Sequence, residues 1–423
     1  MVFVLVVFLT SKKIPLGLAA ILGGLVIAFW RGLSLVKITS IILADVFSAD
    51  TILLACLMSL IMVFSSAMKK AGAMDRLASS IIAVAPSRRL AIALAPMLIG
   101  TLPVPGGAVL SAPMVESMDS DGRMGPEGLS AANFYFRHII ELIWPLFPAF
   151  VMTLALAEIS AIKLISIHFY SAPLLFTLGL IFLLPKKAWA TDKKLPTLTS
   201  DKHRGSFLIG IAPLAIALGG YGVLALLWGI VAPSIDFSPA VKALIGRYGT
   251  IILGLTFGCI YVGSSKEGFS VFKGSLKAST LRLILVLIGI RIFSALLSQS
   301  GVAQEAALEM ERSGFPPFVA AALIPFAAGL VTGVGYGYVG LAFPIVFAMM
   351  DSQTSLPKEA TIALAAAFGY GGMMLSPLHI CMVVSAEHFK AGLPSTIRRV
   401  AVPVGIFLII ATAYALGIAA LLG

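Results

Sequence analysis

The chain has 423 residues, 59% of them hydrophobic and only 12% charged, and its mean hydropathy is +1.03, which excludes a soluble globular protein of this size. A formal charge of +11 would suit nucleic acid, but the basic residues sit in short loops between apolar runs, where they act as a membrane-orientation signal. Cys56, Cys259 and Cys381 are far apart and lack metal or redox spacing, so they read as packing residues.

In chain order, the apolar runs predict an all-α polytopic membrane protein with spans at about 2–10, 14–30, 49–69, 128–157, 161–184, 206–231, 248–263, 278–299, 359–386 and 397–422. The first, "MVFVLVVFLTSKK", carries its lysines after the apolar run and reads as a short span rather than a signal peptide. Between the third and fourth spans, residues 90–115 are free of charge yet hold Pro103, Pro105, Gly106 and Gly107 at their centre. Proline removes an amide donor, and hydrocarbon supplies no water in its place. The arms, of about 13 and 9 residues, are each under about 20 Å long and cannot cross a core of about 30 Å. Residues 313–350 are likewise uncharged and are interrupted by "TGVGYGYVG" at 332–340. Both regions read as re-entrant hairpins, with one kinked helix in each as the competing reading. "KKAWATDKKLPTLTSDKHR", between the halves, reads as a cytoplasmic linker without a catalytic pattern.

The halves resemble each other. "FSSAMKKAG" at 64–72 aligns with "FSALLSQSG" at 293–301, an offset that also brings Pro96 to Pro325 and Gly100 to Gly329. After a small insertion Gly106 meets Gly337 and Pro113 meets Pro344, and then Trp144 meets Ser376. The aligned spans are the third and the eighth, an odd number of crossings apart, so the repeat is inverted. About five spans and one hairpin make each copy. One side collects 21 Lys and Arg against 7 on the other and is assigned to the cytoplasm, which puts both termini outside the plasma membrane.

A helix that restarts inside the membrane exposes its first N–H groups and the positive end of its dipole, which fits an anion. In the first tip Pro105, Gly106 and Gly107 lead into the outgoing helix, with Ser111 one turn in. In the second, Thr332, Gly333, Gly335 and Gly337 let backbone approach a ligand, and Tyr336 and Tyr338 offer hydroxyls. The bland reading of these residues is close helix packing. The spans after the hairpins are broken too, at Trp144 and Pro145 and again at Ser376 and Pro377, where freed carbonyls would suit a coupling Na⁺. Glu141, the one acid well inside an apolar span, would suit H⁺; pairing with Arg137 one turn earlier, or an interfacial position, are its structural alternatives. His379 beside the second break would contact substrate, relay a proton or simply pack. Arg291 reads as a packing or snorkelling residue, or as a counter-charge. His138 and Glu141 form an HxxE pair, but without a third ligand or a base motif they do not predict a metalloenzyme, and a channel is the other competing class.

"LPVPGGAVLSAPMVE", "FRHIIELIWPLFPA" and "GYGGMMLSPLHICMVVSAEHFK" resemble a bacterial and archaeal membrane-protein family of the ion transporter superfamily, related to the gluconate permeases. The resemblance implies an elevator-type secondary transporter, usually a homodimer. It places a scaffold in residues 1–85 and 205–312 and a transport part in 86–184 (hairpin 88–118) and 313–423 (hairpin 315–350), joined by the linker 185–204. The superfamily's sodium–dicarboxylate members carry Ser-Asn-Thr at both tips, where this chain has PVPGG and GVGYG, so their contacts are not carried over. The superfamily's commonest cargo makes a small carboxylate or sugar acid the expected partner, with H⁺ or Na⁺ as coupling ion and no other cofactor.

Overall fold

A computed structural model describes residues 5–422 except 7, 10, 11, 13, 104–106, 120, 187–200, 266, 303, 304, 306, 307, 310, 311, 313–315, 354 and 355. The predicted span at 2–10 and the linker at 185–204 lie largely outside the described residues. Among the described residues the regular structure is entirely helical. Six segments are long and apolar enough to cross a membrane: Ala49–Lys70, Ala161–Phe182, Gly205–Ser234, Pro239–Gly263, Ala278–Ser300 and Leu393–Leu422. Each coincides with a span read from the sequence.

The chain opens with α1 (Leu16–Trp30), α2 (Leu35–Val46), α3 (Ala49–Lys70) and α4 (Ala73–Val84). Next come α5 (Arg88–Gly100) and α6 (Gly107–Met118), then α7 (Gly125–His138) and α8 (Pro148–Ala157), and the first half closes with α9 (Ala161–His168) and α10 (Ser171–Phe182). The second half runs α11 (Asp201–Val231), α12 (Pro239–Leu244), α13 (Thr250–Gly263) and α14 (Ala278–Ser300). It ends with α15 (Pro317–Thr332), α16 (Gly335–Gln353), α17 (Lys358–Met374), α18 (Ile380–His388) and α19 (Leu393–Leu422).

Helices α1, α2 and α3 pack on α14, while α11 packs on α13 and α4. Glycine permits this closeness: a Cβ on Gly289 would overlap the Gly17 carbonyl, and one on Gly254 would come within 2.6 Å of the Tyr221 amide. A part-buried ion network ties the same group together. Arg291 reaches Asp45 at 2.6 Å and Asp50 at 3.2 Å, and Asp50 also binds Arg247 at 2.6 Å. Arg247 lies in a π-helical turn, Ile245–Gly249. Arg291 thus has a structural partner in each of two acids.

The helices α5 and α6 pack as a hairpin, as do α15 and α16. Ser87 starts the first by accepting from the Leu90 amide at 3.2 Å. Arg88, at that start, lies 3.5 Å from Asp121, just past the end of α6, so the hairpin begins and ends on one side. Its helices of 13 and 12 residues are about 20 Å long or less. In the second hairpin α16 runs to 19 residues, longer than the sequence pattern suggested.

Each hairpin is followed by a broken helix. The predicted span 128–157 is two helices, α7 and α8, separated by 139–147, and 359–386 is α17 and α18, separated by 375–379. Proline sets both breaks, at Pro145 and Pro148 and at Pro377. The second piece of each broken helix packs on the other half's hairpin, α8 on α16 and α18 on α6. This exchange brings both hairpin tips and both breaks to one place.

Candidate functional site

At that place lies a cavity of about 320 Å³, lined by Pro103 from the first hairpin, Gly335 and Tyr336 from the second, Arg137, His138 and Glu141 from the first break, and His379 and Cys381 from the second. Arg137 ends α7 with only 5% of its surface exposed. Its guanidinium lies against Gly107, the first residue of α6, where a Cβ would overlap it. Among the described residues the Nη1 of Arg137 has no hydrogen-bond partner. A cation beside the positive end of a helix, in a medium of low dielectric, is an unfavourable juxtaposition until an anion joins it.

Glu141 is equally buried but faces the other tip. Its carboxylate lies against Gly335, the first residue of α16, where a Cβ would overlap Oε1. An acid is favourable at a helix N-terminus. Arg137 and Glu141 form no ion pair within 4 Å among the described salt bridges, because the chain leaves α-helical geometry after His138. The pairing that their spacing suggested is therefore not made; each member faces a separate hairpin.

His379 is the N-cap of α18, and its Nδ1 accepts the Cys381 amide at 3.3 Å. With that nitrogen accepting, the neutral ring carries its proton on Nε2, which is buried and has no partner among the described residues. His138 donates from Nδ1 to the Phe134 carbonyl at 2.8 Å, which leaves a lone pair on Nε2. The two rings meet edge to face at 4.7 Å.

The remaining predicted residues have other placements. Pro105 and Gly106 lie outside the described residues. Ser111 is buried in α6, its hydroxyl 3.4 Å from the Gly107 and Ala108 carbonyls. Thr332 donates to the Ala328 carbonyl at 2.7 Å and fills the space that a Cβ on Gly337 would need. Gly333 caps α15 at φ +63° and lies so close to the second break that a Cβ would come 2.8 Å from the His379 amide nitrogen. Tyr338 is a core residue whose ring packs on Gly369. Pro145 is buried within the first break, whereas Pro377 is exposed at the second.

Trp144 and Ser376 act as latches. Trp144 Nε1 donates to the Thr101 carbonyl at 2.7 Å, and Ser376 Oγ donates to the Leu330 carbonyl at 2.6 Å. The sequence register pairs Trp144 with Ser376, and its earlier offset pairs Thr101 with Leu330. Gly100 and Gly329, another aligned pair, both press on a backbone carbonyl, those of Arg137 and Gly369. Sequence reasoning assigned no ligand role to Arg137 or Cys381, although a lone arginine inside an apolar span was signal enough for the first.

Fold and site together define a multi-pass, all-helical membrane protein with paired hairpins and broken helices around a cavity that holds several charged and polar side chains. The chain belongs to the family described as protein of unknown function DUF401, whose model matches residues 1–241 and 253–418. Its fold is similar to that in the crystal structure of the Alcanivorax borkumensis YdaH transporter, described as having an unusual topology, with a TM-score of 0.59 and 15% identity over 87% of this chain and 85% of that one. No curated protein matches the sequence.

Proposed function

We propose that this protein is a secondary active transporter of a small organic anion, a carboxylate or sugar acid, coupled to H⁺ or Na⁺. The observation that carries this reading is a pair of buried donors that find no acceptor among the described residues, Arg137 Nη1 and His379 Nε2, on side chains that line one cavity. An unsatisfied buried donor costs about 1–3 kcal/mol, and more when charged, so such groups await a ligand. A carboxylate supplies the acceptors and the charge, and it would lie beside the α6 N-terminus.

The transporter reading is supported by the fold's likeness to a transporter structure and by the crossed hairpins, whose matching latches agree with an inverted repeat. In this reading the helices of 1–85 and 205–312 are the scaffold, and the hairpins with their broken helices move as an elevator. Homodimer assembly and the cytoplasmic placement of the basic loops belong to the same proposal. Glu141, held at the α16 N-terminus, is the coupling residue if H⁺ is the ion; the carbonyls of the breaks serve if it is Na⁺.

The test is a thermal-shift screen of purified protein against small carboxylates, sugar acids and neutral metabolites, with and without Na⁺ at two pH values. Uptake of the best binder into proteoliposomes follows. Stabilisation by a carboxylate, with dependence on Na⁺ or pH, is expected. Stabilisation by neutral or cationic compounds alone would remove the anion reading.

A further inference from the structure

The anion reading leaves three groups of the cavity unused: the His138 lone pair, the Cys381 thiol and Nδ1 of His379. One ligand atom from each of these residues can be chosen so that all three lie within 4.8 Å of one another. We propose that His138, His379 and Cys381 form a binding site for a thiophilic transition-metal cation of the Zn²⁺ type. The site stands on these side chains and does not rest on the anion reading.

Two imidazoles and a thiolate are the donor set that zinc and its neighbours prefer over hard cations such as Mg²⁺. The outer contacts agree as well. A metal-bound histidine usually donates its second ring N–H to a carbonyl or carboxylate, and His138 already donates Nδ1–H to the Phe134 carbonyl while Nε2 is left to bind. His379 binds through Nδ1 by giving up the long 3.3 Å contact to the Cys381 amide, and its Nε2–H stays a donor. Bonds of about 2.0–2.3 Å in a tetrahedron set ligand atoms roughly 3.3–3.8 Å apart, so side-chain rotation must close about 1 Å.

Charge sets the limit on affinity. Arg137 borders the Cys381 sulfur and opposes a cation, and the Cys381 thiol gives up its proton to solvent as the metal binds, whereas the Glu141 carboxyl in the same cavity offers a balancing negative charge. His138 closes α7 and the other two ligands open α18, so a bound ion would join the two broken helices. Of the HxxE pair only His138 is a ligand here; the other two ligands come from the other half of the chain, which spacing within the first half does not reveal.

The full-length protein in a Cys56→Ser/Cys259→Ser background, stripped with chelator, is titrated with Zn²⁺ and separately with Co²⁺. Zn²⁺ should raise the thermal midpoint by at least about 3 °C, and Co²⁺ should give a thiolate-to-cobalt charge-transfer band. Adding Cys381→Ser should abolish the band and weaken Zn²⁺ binding at least tenfold, and His138→Gln should weaken it comparably. Absence of both signals in the parent protein, or an unchanged response after Cys381→Ser, overturns the site. Neither readout needs an anion or transport, so failure here leaves the proposed function standing, and a failed carboxylate screen leaves the metal site standing.

Discussion

Gly107 and Gly335 differ from the other crowded glycines in what their missing Cβ makes room for. At both positions the neighbour is the charged end of a flexible side chain, Arg137 or Glu141, whereas at Gly100 and Gly329 it is a backbone carbonyl. Flexible ends move at small cost and packed backbone does not. Gly100→Ala and Gly329→Ala should therefore each destabilise the protein by about 1–3 kcal/mol, read as a fall in thermal midpoint. Gly107→Ala should keep most stability and change binding instead by displacing the guanidinium, while Gly335→Ala should displace the carboxylate and also lose some stability, because its Cβ would come 2.9 Å from the Ala149 Cβ. Equal midpoints across the four variants would contradict the distinction. Arg137→Gln removes a charged donor, and hydrogen bonds to charged groups are worth about 1.5–3 kcal/mol, so the Kd for a carboxylate should rise roughly 10- to 150-fold by calorimetry. Arg137→Lys should not restore it, since an ammonium lacks the planar fork.

At the scale of elements, the latches explain how short helices hold position. Neither helix of the first hairpin is long enough to span, and its tip is anchored by the break that follows, through Trp144 and the Thr101 carbonyl. Ser376 does the same for the second hairpin through Leu330. Trp144→Phe should speed amide exchange at the end of α5 while leaving the end of α15 unchanged, and Ser376→Ala should do the reverse, each at a cost of about 1 kcal/mol. Exchange that rises at both tips in either variant would mean the hairpins are not held separately. Much of this level was legible in the sequence. Proline and glycine in mid-run forecast both interruptions, and the register that aligned Gly100 with Gly329 also aligns the donors and acceptors of the latches. The cavity's chemistry was less legible. Spacing on an ideal helix paired Arg137 with Glu141, but the helix ends at His138 and sends the two side chains to different tips. Cys381 sits beside His138 through tertiary packing of α18 on α7, which periodicity along the chain does not encode.

Across the whole molecule, the proposed division into a scaffold and a moving part makes the elevator reading testable. The ion network of Asp45, Asp50, Arg247 and Arg291 lies wholly within the proposed scaffold. Removing one partner of this part-buried network leaves two carboxylates without their shared cation, so Arg291→Met should lower the thermal midpoint while the anion Kd moves less than about twofold. The boundary itself is bridged where α14 faces α16, with Ser294 and Ser298 across a second cavity from Pro344, Phe347 and Ala348. An elevator must slide α16 past α14, whereas a rocking pore or a channel can work with that contact fixed. Ser294→Cys with Ala348→Cys, in the Cys56→Ser/Cys259→Ser background, can be joined by a short reducible cross-linker. Uptake should fall to background on cross-linking and recover on reduction. Full uptake from quantitatively cross-linked protein would show that α14 and α16 keep their contact throughout the cycle, and the moving part would then have to lie within the hairpins themselves.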